Sequence, residues 1–278
     1  MGNFFNYNGK IYKEGTAIVS ADNRGLRYGD GLFETMKLKN GELIFADEHF
    51  PRLWKGLKTL QFELPKHFTP ELLQEQILLL AKKNENENSA RIRLSVFRSD
   101  GGLYDAKDHL PNYIIQSLPL STDAGKWNGN GLILGIYNDV KKSCDILSNL
   151  KHNNYLPSVM AALHAKKQKW NDAIILNAYN RICESTIANI FLIKNDIIYT
   201  PALSEGCVAG IIRGYLISKI FSLGFSLVEK EITIDELMNA DEVFLTNSIY
   251  NIRWVQQIDN KKYSNDLTLK IYSAVLAN

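Results

Sequence analysis

Cysteine is scarce in this 278-residue chain: Cys144, Cys183 and Cys207 stand in no metal-binding spacing, and an odd number cannot all pair. That argues against a disulfide-stapled fold and against a cysteine-based metal site, and makes free thiols in a reducing cytoplasm the expectation. An excess of one charge is missing too, since 32 basic and 30 acidic residues leave a formal net charge of +2. The nearest thing to a basic cluster, Lys166, Lys167 and Lys169, fits the wet face of a helix, so neither nucleic acid nor a membrane surface is an expected partner. No apolar run approaches the length of a membrane span, and the first residues show no basic stretch followed by an apolar one. Gly2 opens no myristoylation signal either, because Asn6 stands where Ser or Thr is needed. A Gly-x-Gly-x-x-Gly after the first strand, internal repeats and low-complexity segments are all absent, which disfavours a dinucleotide fold or a solenoid.

What is present suits a soluble enzyme: 45% hydrophobic and 22% charged residues, in a chain long enough for two packed α/β domains. Short β-like runs come first, over Phe4–Tyr12 with a break at Asn8-Gly9, Thr16–Ser20, Leu32–Leu38 and Glu42–Phe45. Asp47 is expected to cap a helix carrying Phe50, Leu53, Trp54, Leu57 and Leu60 at helical spacing, with Pro51 tolerated near its start. Thr69-Pro70-Glu71 opens a second helix, which runs into the polar Asn84–Asn88. Ile92, Leu94 and Val96 then alternate with Arg91, Arg93 and Ser95 as a half-buried strand, and Tyr113–Leu118 closes a smaller N-terminal domain, 1–118.

Residues 119–131, rich in Ser, Thr, Gly and Asn, read as the linker to a larger C-terminal domain, 132–278. This second part is expected to hold a strand at Leu132–Tyr137 and a helix from Asn154 to about Trp170, with Leu156, Val159, Met160 and Leu163 on one face. Strands follow at Ala173–Leu176, Ala188–Lys194 and Ile197–Thr200, then a helix from Gly210 to Leu223 closed by Gly224. A short helix at Asp235–Asn239 and a strand at Glu242–Leu245 lead into Thr246-Asn247-Ser248.

The chemistry centres on Lys151, inside Leu147–Tyr155 (LSNLKHNNY). A lysine that works covalently needs its amine partly neutral, which burial or a nearby cation brings about by lowering its pKa. Alone, such a lysine is one more polar loop residue. Its surroundings give it a pattern: Tyr155 four residues on, then Glu184, then Asn189-Ile190-Phe191, then Gly210-Ile211-Ile212-Arg213 at the start of a helix. Upstream stand Asp22, the run Arg27–Thr35 (RYGDGLFET), and His49 with Arg52-Leu53. In this order the motifs resemble the class IV aminotransferase family, which includes branched-chain and D-amino-acid aminotransferases and 4-amino-4-deoxychorismate lyases.

The resemblance implies fold type IV: an α/β, two-domain enzyme with pyridoxal 5'-phosphate in the cleft between the domains, no metal, and a homodimer. It implies that Lys151 forms the Schiff base, that Glu184 pairs with the pyridine nitrogen so that the ring accepts electrons, and that Tyr155 donates to the ring oxygen. The phosphate would lie at the N-terminus of the Gly210 helix, on the N–H groups of Ile211 and Ile212, with Arg52, Thr246 and Ser248. Asn189 and Asn247 complete the implied cofactor set. Ile212 departs from the Thr of many relatives, which loses a hydroxyl and keeps a backbone donor. Tyr28, Phe33, Arg91, Arg93 and Arg98 are the candidates for the substrate. Leu103 and Asp105 stand where D-amino-acid enzymes carry their carboxylate trap, which makes that specificity the least favoured. Amino transfer is the expected activity, with release of pyruvate from aminodeoxychorismate as the alternative.

Overall fold

The computed structural model describes residues 4–275, so the reading of Gly2 lies outside the described residues. The described residues pack as two compact units, one up to residue 122 together with 151–154, the other of residues 123–150 and from 155 on. Lys151–Asn154 therefore packs with the first unit, whereas the sequence reading assigned it to the second.

In the first unit β1 (Phe4–Tyr7), β2 (Lys10–Lys13), β3 (Gly31–Lys39), β4 (Glu42–Leu43), β5 (Ser89–Arg98) and β6 (Pro111–Pro119) form one sheet in the order β2-β1-β6-β5-β3-β4. Its pairs are antiparallel. Helix α1 (Arg24–Tyr28) precedes β3, while α2 (Ala46–Thr59) and α3 (Pro70–Lys83) pack beside the sheet. Their buried residues, among them Leu53, Leu57, Leu73 and Ile77, join Met36, Leu38, Ile92 and Leu94 in the core. Thr69 caps α3 as expected, accepting from the N–H of Leu72 at 3.2 Å. Two expectations fail. Asp47 does not cap α2: the cap position is Phe45, in the left-handed region at φ 59 with no side-chain bond, and Asp47 lies in the first turn, where its charge favours the dipole. Thr16–Ser20 forms no strand, because its β-branched residues meet no pairing edge.

The second unit holds a nine-stranded mixed sheet built from β7 (Leu132–Lys142), β8 (Asp172–Asn177), β9 (Ile182–Ser185), β10 (Asn189–Lys194), β11 (Ile197–Pro201), β12 (Ser226–Lys230), β13 (Glu242–Asn247), β14 (Asn251–Ile258) and β15 (Lys261–Lys262). The order is β12-β11-β10-β13-β14-β7-β8-β9, with β15 on β14. Helix α4 (Leu156–Gln168) connects the parallel pair β7–β8, α5 (Ile211–Ile220) lies between the parallel β11 and β12, and α6 (Ile234–Met238) and α7 (Asp266–Val275) complete the unit. The core is a run of Leu, Ile and Val from β7, β8, β10, β13 and β14, including Leu134, Ile174, Ile190, Val243 and Val255.

The face of α4 that carries its large apolar side chains is not the buried one. Leu156, Val159, Met160 and Leu163 are 74%, 46%, 45% and 58% exposed, whereas Ser158, Ala161 and Ala165 are buried. Small side chains let this helix come close to Tyr137, Ala173 and Ile175, and the larger ones point away.

Candidate active site

In the first unit, three stretches meet at the N-terminal end of β3. The Phe33 N–H donates to the Lys151 carbonyl at 2.9 Å, and the Asn153 N–H donates to the Gly31 carbonyl at 3.0 Å. Lys151–Asn153 thus occupies the strand edge beyond β4, with Leu32 and His152 as bridge partners. A glycine is needed at position 31, since a Cβ there would lie 2.3 Å from the Val96 carbonyl oxygen of β5 and 2.8 Å from Asn153 Nδ2. The Lys151 Nζ sits 4.4 Å from the Phe33 ring centroid, and the Arg93 guanidinium carbon 4.0 Å from the same centroid. Lysine, aromatic wall and arginine, three of the residues singled out in the sequence, are therefore adjacent.

The other residues proposed for the substrate are placed differently. Tyr28 is half-buried at the end of α1, with Arg24 and Arg27 near its ring. Arg91 is exposed on β5, opposite Lys37 of β3. Arg98 is buried and engaged on all three guanidinium nitrogens, by Asp30 at 2.9 Å, by His109 at 2.8 Å and by the Leu60 carbonyl at 2.5 Å. Its packing is that of a structural cation joining β5 to the segments that carry those three groups.

Arg52 lies on α2, where its Nε donates to Glu34 Oε1 at 2.8 Å and its Nη2 to Glu34 Oε2. His49, one helical turn earlier, places Nδ1 2.7 Å from Glu34 Oε2. Burial pushes the Glu34 carboxyl up, but the Arg52 charge and the His49 hydrogen bond outweigh it and hold the pKa at about 2.

The second unit carries the remaining cofactor candidates. Glu184 is buried on β9; its Oε1 is ion-paired with Lys142 at the end of β7, and its Oε2 accepts the Val208 N–H at 2.8 Å. Burial drives the Lys142 ammonium toward neutrality, yet the Glu184 charge more than compensates and raises its pKa. Lys142 gave no signal in the sequence, because the expected strand stopped at Tyr137 and the polar tail hid its continuation.

Beyond the turn that follows β9, Asn189 opens β10 and donates to the Val208 carbonyl at 2.8 Å. That carbonyl also accepts from Gly210 at 2.8 Å, and Asn149 holds the Cys207 carbonyl and the Ala209 N–H, so the loop into α5 is fixed on both sides. Gly210 is the residue before α5, and a Cβ there would fall 1.9 Å from Asn189 Oδ1. The N–H groups of Ile211 and Ile212 in the first turn of α5 have no intrahelical acceptor, and among the described residues no side chain caps them. Thr246, opposite Asn189 in the sheet register, buries an Oγ1 that meets no hydrogen-bond partner among the described residues. Asn247 instead uses its side chain to shape the turn into β14, accepting from Ile249 at 3.0 Å and Tyr250 at 2.8 Å, with Ser248 half-buried in that turn. Tyr155 is half-buried just before α4. An uncapped helix start, an unsatisfied buried hydroxyl and a buried carboxylate in one unit fit a phosphate-bearing, basic heterocycle such as pyridoxal phosphate.

The two sheets have the architecture of a fold-type-IV pyridoxal-phosphate enzyme. The family model for amino-transferase class IV matches residues 31–258, and the chain belongs to that family. It is 31% identical over 271 residues to a putative branched-chain-amino-acid aminotransferase of Methanocaldococcus jannaschii, covering 95% of this chain and 92% of that protein. It is 30% identical to the aminodeoxychorismate lyase of Vibrio harveyi, over 86% of this chain and 87% of the relative. Among solved structures, the branched-chain aminotransferase of Thermoproteus uzoniensis with norvaline superposes with a TM-score of 0.87 at 26% identity, over 99% of this chain and 94% of that one.

Proposed function

We propose that this chain is an aminotransferase, moving an amino group between an amino acid and a 2-oxo acid, with Lys151 as its catalytic residue. The observation that carries this reading is the pair of cations on Phe33: the Lys151 amine and the Arg93 guanidinium lie 4.4 and 4.0 Å from one ring centroid. An amine that takes up an aldehyde and removes a proton needs the substrate carboxylate held close by, and Arg93 is suited to hold it.

In this reading bound pyridoxal phosphate supplies an electron-accepting ring, which stabilises the charge left when the substrate α-carbon loses its proton. Lys151 would hold the cofactor through its Nζ, and the same Nζ would take and return the substrate α-proton. Glu184, kept in place by Lys142 and the Val208 N–H, pairs with the ring nitrogen. Tyr155 donates to the ring oxygen. Arg52, the N–H groups of Ile211 and Ile212, and the hydroxyls of Thr246 and Ser248 take the phosphate. Phe33 forms an apolar wall beside the amine.

The lyase reading has a specific support as well, the 30% identity to the Vibrio harveyi enzyme, and it uses Lys151 in the same way. A side-by-side assay separates the two. Amino transfer to 2-oxoglutarate from an L- or D-amino acid is the expected result, and a clear preference for aminodeoxychorismate with release of pyruvate would reverse the assignment. Borohydride should fix a pyridoxyl group on Lys151, seen by mass spectrometry; a protein that stays colourless with pyridoxal phosphate would end the whole reading.

A homodimer belongs to the same proposal. Its support is the exposed row Leu156, Val159, Met160 and Leu163 on α4, a stripe that burial against a second copy would remove from water. Sedimentation of the intact protein at micromolar concentration tests it, and a monomer there would overturn it. A reducing cytoplasm is the compartment we assign, in keeping with the free Cys144, Cys183 and Cys207.

A further inference from the structure

The first unit contains a buried polar group that none of the roles above explains. His49 is fully buried, and its Nδ1 meets Glu34 at 2.7 Å while its Nε2 meets no hydrogen-bond partner among the described residues. An ionised Glu34 can only accept, so Nδ1 is the donor in this contact and the second ring nitrogen is buried unsatisfied. Burying an unsatisfied ring nitrogen costs stability, and an apolar side chain would fill the same space without that cost. Among the described residues the His49 side chain makes one polar contact, the one to Glu34, so its effect must be sought there.

Glu34 in turn reaches Arg52 through both oxygens, Oε1 from Nε at 2.8 Å and Oε2 from Nη2. A guanidinium bound in this two-point manner has its plane and direction fixed. Any anion that Arg52 takes is met by a fork whose orientation Glu34 has already set. The side chains of His49 and Glu34 are 1% and 2% exposed and that of Arg52 is 14% exposed, so the first two are walled in and the third reaches toward the surface.

We propose that Glu34 and His49 are positioning residues for Arg52, holding its guanidinium in the one orientation that receives the phosphate of the cofactor. His49 fixes the Glu34 carboxylate, and Glu34 fixes the arginine. The inference rests on the assignment of Arg52 to the phosphate and adds two residues that do not themselves touch the cofactor. It also gives the Phe33-Glu34 dipeptide two jobs on one strand: the Phe33 backbone holds Lys151, and the Glu34 side chain aims Arg52.

The test compares two aldehydes on enzyme stripped of its cofactor: pyridoxal phosphate, and pyridoxal, which lacks the phosphate. Glu34→Gln should weaken pyridoxal phosphate about 30-fold, within the range for groups that orient a ligating residue, and His49→Phe, one contact further out, about fivefold. Both variants should keep the affinity for pyridoxal within about twofold of wild type, since the Lys151 end is untouched. Melting of the cofactor-free proteins is recorded alongside; if Glu34→Gln fails to fold, Glu34→Asp, which keeps the charge on a shorter arm, carries the comparison. Equal losses for the two aldehydes, or no loss for either, would overturn the proposal. Wild-type protein that reacts with neither aldehyde at Lys151 would instead refute the cofactor reading on which it rests.

Discussion

Glu34 in the first unit and Glu184 in the second are both buried and both paired with a cation, and the two pairs are built differently. Glu34 of β3 has an arginine across both oxygens and a histidine on one of them, and its partners are side chains of α2. Glu184 of β9 has a lysine on one oxygen and a backbone N–H on the other. Arginine is planar and stays charged, so the Glu34 pair is a fixed fork that holds one geometry. Lysine is a point charge on a flexible stem, so in the Glu184 pair the Val208 N–H fixes the carboxylate and the ammonium balances its charge without fixing a plane. The first arrangement suits a group that must aim, the second a group that must keep a negative charge facing a ring nitrogen.

The largest expected effect separates the pairs by pH. Glu34→Gln and Glu184→Gln each leave a mostly covered cation without its counter-charge, a loss approaching that of a fully buried pair, about 3–5 kcal/mol. For Glu184→Gln the deficit should shrink as pH rises from 7 to 9.5, because Lys142, pushed down by burial once its partner is gone, sheds its proton. For Glu34→Gln it should persist over that range, since Arg52 cannot neutralise. Urea denaturation of both variants across pH checks this, and parallel deficits would show that the two cations are equivalent.

A smaller effect concerns the acid limb. Glu34 is depressed from 4.5 to about 2, so its contribution is complete above the ordinary carboxyl range and is lost as pH falls from about 4.5 toward 2. Such a shift corresponds to about 3 kcal/mol at neutral pH. Wild-type stability should therefore fall more steeply over this window than that of Glu34→Gln, and coincident slopes would break the assignment.

The motifs around Lys151 and the capped helix α3 were legible because their signals are local: a lysine in a polar loop, a Thr-Pro-Glu start. The pairings of Glu34 and Glu184 were not. Both partners of Glu34 stood in view as His49 and Arg52-Leu53, but only the packing of α2 on β3 brings them onto its carboxylate. Lys142 had no signal at all, lying in a polar strand end that runs past the apolar part of β7. On α4 the periodicity correctly put Leu156, Val159, Met160 and Leu163 on one face, yet spacing cannot say what that face meets, and the small residues opposite are the ones that pack. Strands β9 and β14 were missed for a related reason, since Glu184, Asn251 and Arg253 interrupt the apolar alternation that marks a strand.

The smallest predicted effect reads the charge of Glu184 from a distance. Cys207 is pushed up to about 12, first by burial and then by the negative charge of Glu184, and burial and the same carboxylate also raise buried Cys183 well above the ordinary thiol range. At pH 8 iodoacetamide should therefore label Cys144, the half-buried thiol, long before the other two. Glu184→Gln removes the charge that opposes the thiolates and leaves that of Lys142, which favours them, so Cys183 and Cys207 should react several-fold faster relative to Cys144. Glu34→Gln removes a buried charge from the other unit and should leave that ratio unchanged, because it opens no nearer cation to the thiols. Mass spectrometry of the labelled peptides measures both ratios in one experiment. If the two variants speed labelling equally, the cause is general loosening of the fold, and the distinction between the two carboxylates does not extend to their electrostatic reach.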